Sequence, residues 1–323
     1  MNERRYTRRD FINFSLDLVK ATGLSLALGN FLSGCEIGET KYDKRFVEGP
    51  EAAKLELNIE NKFNIRLMTQ GQWDEEIWDG RLSEGHPDLE AKWNMENLSL
   101  ISGYLETLPA HFTKEKYKGK KLRIIITHLP FTDCDCFPDP KGNDPDEMFI
   151  SLYLITNSSK EQGFATLAHE FSHRMTPFSL PTPVNKSESL LEQLQSPWFE
   201  RINAILGEDF KTARLKINEK ILALDPDIAK KWKLELRERK ELTQEEQKSQ
   251  FLYRLAYGLG TRQELIDSEK FNLPTEFIGV LGENYVYGKD YFMSMYKFVL
   301  PEEIVGKLYE FTKTEIFKGR EYL

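Results

Sequence analysis

The segment EQGFATLAHEFSHRM, residues Glu161 to Met175, is the basis of the predicted fold. Ser158 and Ser159 precede it as candidate helix caps, and its apolar residues are spaced as in a helix half-buried in a core. We therefore predict a helix here. Two histidines of this stretch are four residues apart, so a helix places both imidazoles on one face, one turn apart.

This predicted helix carries the motif His-Glu-x-x-His, with His169 and His173 as candidate zinc ligands and Glu170 as candidate general base. Imidazoles four residues apart on one helix can reach a single Zn²⁺ at about 2.0–2.1 Å. Zinc lowers the pKa of a bound water molecule to about 7, and Glu170 beside the first ligand can take the proton. The motif predicts zinc-dependent hydrolysis.

Catalytic zinc takes three protein ligands, so a third ligand is required beyond the two histidines. No histidine follows His173, which leaves the downstream carboxylates Glu188, Glu192, Glu276 and Glu283 as candidates. The most suggestive stretch is 274–285, PTEFIGVLGENY, where an acidic residue opens an amphipathic helix. Its two glycines would allow a close approach to the histidine helix.

The order of elements around the motif predicts an α+β fold. Helical spacing over residues 88–108 is followed by the β-branched run 121–128, an Asp- and Pro-rich loop over 132–147, and a second apolar strand over 148–156. Strands come first and helices follow, which is typical of the α+β class. We expect a tether over 35–60 and one domain over 61–323, with a helical insertion at about 185–260.

The residues around Glu276 resemble two families of zinc peptidases. A helix that begins Pro-x-Glu-Phe, with a second Glu seven residues on, resembles the third-ligand helix of the Mlc titration factor A family and of the catalytic domain of anthrax toxin lethal factor. The resemblance covers roughly residues 95–175 and 265–300. It implies a zincin-like fold with His169, His173 and Glu276 as the zinc ligands and Glu170 as the base, and with the strand 149–155 as the edge strand that pairs with substrate.

The chain departs from those families at two places. Ile278-Gly279 stands where they have an apolar residue followed by Ala. The tyrosine that they place one or two turns before the Glu ligand is missing, so the donor that stabilises the oxyanion is unassigned. Tyr257 and Tyr285 are the candidates, with Tyr253 as a further one.

The N-terminus reads as an export signal followed by a lipid anchor. Thr7-Arg8-Arg9-Asp10-Phe11-Ile12 resembles a twin-arginine signal, and Leu32-Ser33-Gly34-Cys35 resembles a bacterial lipobox. The apolar run between them is shorter than the ~20 residues that a membrane-spanning helix needs. We expect residues 1–34 to be a signal peptide and Cys35 to be lipidated, so that the protein is exported and anchored to a bacterial membrane.

Composition excludes several classes of function. With 52 acidic against 44 basic residues the formal charge is -8, which disfavours nucleic acid as a partner. We expect a membrane-anchored zinc metallopeptidase that acts on a peptide or protein. A zincin-fold lipoprotein that serves as a binding or scaffold module with little turnover is an alternative, and so is a structural lipoprotein that binds no metal.

Overall fold

The computed structural model describes residues 44–73, 91–114, 121–127, 134–137, 147–151, 160–175, 197–228, 241–261 and 274–322. Within these ranges, four strands form one sheet: β1 (Arg66–Thr69), β2 (Arg123–Thr127), β3 (Cys134–Phe137) and β4 (Glu147–Ser151). The other described elements are helices, so the α+β class is confirmed.

The strands lie in the order β1-β2-β4-β3. β2 pairs in parallel with both β1 and β4, and β3 runs antiparallel to β4. The β-branched side chains Ile124 and Ile126 of β2 are fully buried, as expected of a central strand covered on its faces.

Two predictions about these strands are wrong. The loop predicted over 132–147 contains β3, because the backbone of Cys134–Phe137 completes the ladder on β4 despite its turn-rich surroundings. The strand predicted as the sheet edge, 149–155, corresponds to β4 as far as it is described, and β4 lies between β2 and β3. The edge strand next to β4 is therefore β3.

The tether predicted over 35–60 is also wrong for its described part. Helix α1 (Pro50–Phe63) starts with proline in its first turn, and Phe46, Val47 and Ile59 are buried in the main core. One face of α1 packs against the rest of the domain. The sequence did not predict this packing because the stretch has few apolar residues.

Among the described residues, three more helices lie between α1 and the motif helix. They are α2 (Gln70–Trp73), α3 (Met95–Thr107) and α4 (His111–Lys114). The side chain of Asn94 caps α3 through a reciprocal capping box with Asn97, so this helix starts later than the predicted residue 88. The motif helix is α5 (Lys160–Met175), in agreement with the prediction.

The described residues of the C-terminal half are mostly helical, as predicted. Its elements are α6 (Pro197–Leu206), α7 (Phe210–Leu224), α8 (Gln244–Gly258), α9 (Thr275–Tyr285), α10 (Lys289–Tyr296), α11 (Glu302–Phe311) and a π-helical turn (Thr312–Ile316). α6, α7 and α8 fall within the predicted insertion, yet their apolar faces belong to the same core cluster as the sheet. Within the ranges described, no helix combines the length and the apolar character needed to cross a membrane.

Candidate metal centre

Helix α5 presents both motif histidines on one face. Their ring centroids lie 4.6 Å apart, and donor atoms of His169, Glu170 and His173 all lie within 4.8 Å of one another. The opposite side of α5 is anchored by Leu167 and Phe171, which are buried in the main core. This burial fixes the rotation of the helix about its axis and so directs the two imidazoles toward α9.

Helix α9 brings Glu276 to the two histidines. Its Oε2 atom lies 3.8 Å from Nε2 of His169 and 3.7 Å from Nε2 of His173. Ligand atoms at about 2.0–2.2 Å from a tetrahedral zinc ion are about 3.3–3.6 Å apart. Two imidazole nitrogens and a carboxylate oxygen at these separations fit such an ion after small side-chain adjustments.

Two glycines allow α9 to approach α5 closely. A Cβ atom at Gly279 would lie 2.5 Å from Nε2 of His169, and a Cβ atom at Gly282 would collide with Oγ of Ser172. Any side chain at either position would therefore push the helices apart or displace His169. Glycine at residue 279 thus has a direct steric reason.

Glu283 lies on the far side of His169 from Glu276. Its Oε2 atom accepts a hydrogen bond from Nδ1 of His169 at 3.2 Å, and its Oε1 atom lies 3.1 Å from Nε of Arg254 on α8. The Glu283 side chain is only 5% exposed. Glu283 was one of the candidate third ligands, but its carboxylate contacts Nδ1 rather than the Nε2 side where Glu276 lies.

The carboxylates around His169 change its protonation. Burial lowers the pKa of His169, but hydrogen bonds to Glu276 and Glu283 outweigh this effect and raise the pKa to about 10. For Glu283, burial acts to raise the pKa, while the Arg254 guanidinium and His169 together hold the pKa below its usual value. Without a metal, these carboxylates therefore favour the protonated form of His169.

The candidate oxyanion donors fall in different places. Tyr285 is buried among C-terminal aromatic side chains, and its hydroxyl donates to the carbonyl of Arg320 at 2.6 Å. The hydroxyl hydrogen of Tyr285 is therefore already engaged by this carbonyl. Tyr257 is 49% exposed on the last turn of α8, and Tyr253 is partly buried one turn earlier.

Sequence reasoning missed the role of α8. Glu283 lies two turns after Glu276 on the same helix, and this spacing was the one signal that both carboxylates face α5. Arg254 carried no local signal, because it meets Glu283 only through the packing of α8 on α9. Glu188, Glu192 and Cys35 lie outside the described residues.

Comparison with known proteins identifies no relative of this chain. No protein-family model, curated protein or solved structure matches the chain. The assignment of a function therefore depends on the α+β fold and on the groups gathered between α5, α8 and α9.

Proposed function

We propose that the protein is a zinc metallopeptidase with a zincin-like domain, in which His169, His173 and Glu276 hold the ion. The observation that carries the proposal is the position of Oε2 of Glu276, within 3.8 Å of Nε2 of both histidines. Nitrogen and carboxylate ligands of this kind suit zinc, which favours four-coordinate sites with two His and one Glu in several hydrolases.

In the proposed reaction, the zinc ion and the side chain of Glu170 have different roles. When bound, zinc activates water and polarises the carbonyl group of the substrate. Glu170 is buried beside His169, where it acts as general base and then returns the proton to the departing amide nitrogen. Its burial shields this proton transfer from bulk water.

The sheet supplies a surface for an extended substrate. β3 pairs with β4 along one side only among the described strands, and α5 contacts β3. A peptide that adds to the outer side of β3 would form main-chain hydrogen bonds and lie next to the motif helix. This geometry favours a peptide or protein over a small ester as substrate.

Glu170→Gln tests the mechanism. It keeps the size of the side chain but removes the base, so turnover of a peptide library should fall by roughly 10²–10⁴ while zinc stays bound. Glu303→Gln is the matched control, because this carboxylate is exposed on α11 and its ion pair with Lys307 is worth little.

Two outcomes count against this mechanism. Near-normal turnover by Glu170→Gln excludes Glu170 as the base. Zinc binding without any hydrolysis by the unaltered protein identifies it instead as a metal-binding scaffold or binding module.

We also propose that the protein is exported and anchored through lipid on Cys35. Support comes from the twin-arginine segment and the Leu-Ser-Gly-Cys sequence at residues 32–35. Mass spectrometry of the protein from bacterial membranes should find Cys35 as the N-terminal residue with attached acyl chains. Recovery of an exported chain with residues 1–34 intact contradicts the anchor and leaves the zinc site untouched.

A further inference from the structure

The ion pair between α8 and α9 continues directly into the candidate metal site. Arg254 contributes Nε to one oxygen of Glu283, and the other oxygen of the same carboxylate faces Nδ1 of His169. The Arg254 side chain is 20% exposed, whereas the carboxylate and the imidazole are nearly covered. The three groups therefore form a chain that leads from partly exposed to buried.

Each oxygen of Glu283 has its own partner, and this division limits how the carboxylate can rotate. A carboxylate accepts hydrogen bonds and donates none, so Nδ1 of His169 must be the donor. A neutral imidazole that carries its proton on Nδ1 has its lone pair on Nε2. Nε2 is the atom that faces Glu276.

We propose that Arg254 and Glu283 are positioning residues, which hold the His169 ring and select the tautomer that presents Nε2 to the metal. This inference rests on the proposed zinc site and extends it to α8, which supplies the outermost group. Partners of this kind commonly change metal affinity by 10–100-fold when they are removed.

The close approach of α9 makes the arrangement specific. Gly279 lies against His169, so the ring has little room to tilt once Glu283 holds its other edge. Without the Glu283 carboxylate, the ring can adopt the tautomer with its proton on Nε2 and its lone pair on Nδ1. That lone pair points away from Glu276. We therefore expect weaker metal binding without unfolding.

The zinc affinity of full-length variants, measured by competition with a chelator, tests whether Arg254 and Glu283 position His169. Glu283→Gln should lose 10–100-fold in affinity. Arg254→Gln should show a smaller loss of zinc affinity. Because the Arg254 side chain is partly exposed, we expect the protein to tolerate this substitution without unfolding. Glu315→Gln is the matched control, since it breaks the surface ion pair with Arg201 and should leave zinc affinity unchanged.

The double variant separates positioning from general destabilisation. If Arg254 acts through Glu283, adding Arg254→Gln to Glu283→Gln should cost no further affinity, whereas independent effects add. In nitrogen-15 spectra of the zinc-loaded protein, the Nδ1 proton of His169 should be observed and should shift upfield in Glu283→Gln. A purely structural role does not predict either result.

The outcomes distinguish this inference from the proposed function. Unchanged zinc affinity in Glu283→Gln, or additive losses in the double variant, contradicts the positioning roles of Arg254 and Glu283 but not the proposed zinc site. An unaltered protein that binds no zinc overturns both.

Discussion

At the scale of single residues, Gly279 sets the space available to His169. The proposed zinc site needs Nε2 of His169 to be accessible to the ion, yet α9 passes close enough to bring Glu276 within 3.8 Å of this nitrogen. Only a residue without a Cβ atom satisfies both requirements, since a Cβ atom at this position would lie 2.5 Å from that nitrogen.

Gly279→Ala should therefore abolish or strongly weaken zinc binding. The added methyl group occupies the side of His169 from which a metal would be held, so elemental analysis should find little zinc in this variant. Gly306→Ala on α11 is the control, because nothing lies within 4 Å of its Cβ position. It should retain zinc and gain about 0.5–1 kcal/mol of stability from the higher helix propensity of Ala. Full zinc occupancy in Gly279→Ala contradicts this account of the site.

At the scale of elements, α1 carries a partly buried pair of acidic residues next to β1. Glu60 accepts a hydrogen bond from the backbone N–H of Leu67 at 2.7 Å, which ties α1 to the first strand. Glu56 lies one turn earlier on the same face. Burial and the charge of Glu60 raise the pKa of Glu56 to about 7.

This pair predicts a pH-dependent stability. Between pH 4.5 and 7 the folded protein holds a proton on Glu56 that the unfolded chain releases, so the free energy of unfolding falls as the pH rises through this window. Glu56→Gln should raise the stability at pH 8 by about 1–2 kcal/mol and change it little at pH 4.5. Urea titrations at the two pH values measure the difference, with Glu310→Gln on α11 as an exposed control. A variant that is no more stable than the unaltered protein at pH 8 contradicts the raised pKa.

The elements also differ in how well the sequence predicted them. The position of α5 followed from local information, because its motif, caps and apolar face all lie within a short stretch. β3 did not, because Cys134–Phe137 becomes a strand only through its pairing with β4. The edge of the sheet was misplaced for the same reason.

At the scale of the whole molecule, the helices α6, α7 and α8 of the predicted insertion pack into the same core as the sheet and the helices of the candidate metal site. α8 packs on α9 through Gly258, where a Cβ atom would lie 2.5 Å from Val280, and Phe210 of α7 meets Phe277 of α9. Charged composition predicted helices in this region but could not show which face is buried. Long-range packing of α9 on α5 brings Glu276 next to the histidines. The local sequence around Glu276 only suggested this position.

We propose that His169, His173 and Glu276 together hold one zinc ion. The most direct test is the zinc content of the purified full-length protein and of Glu276→Ala after both are equilibrated with zinc and dialysed. We expect one zinc ion per chain in the unaltered protein and none in Glu276→Ala. An unaltered protein without zinc, or a Glu276→Ala variant that keeps a full complement, contradicts it.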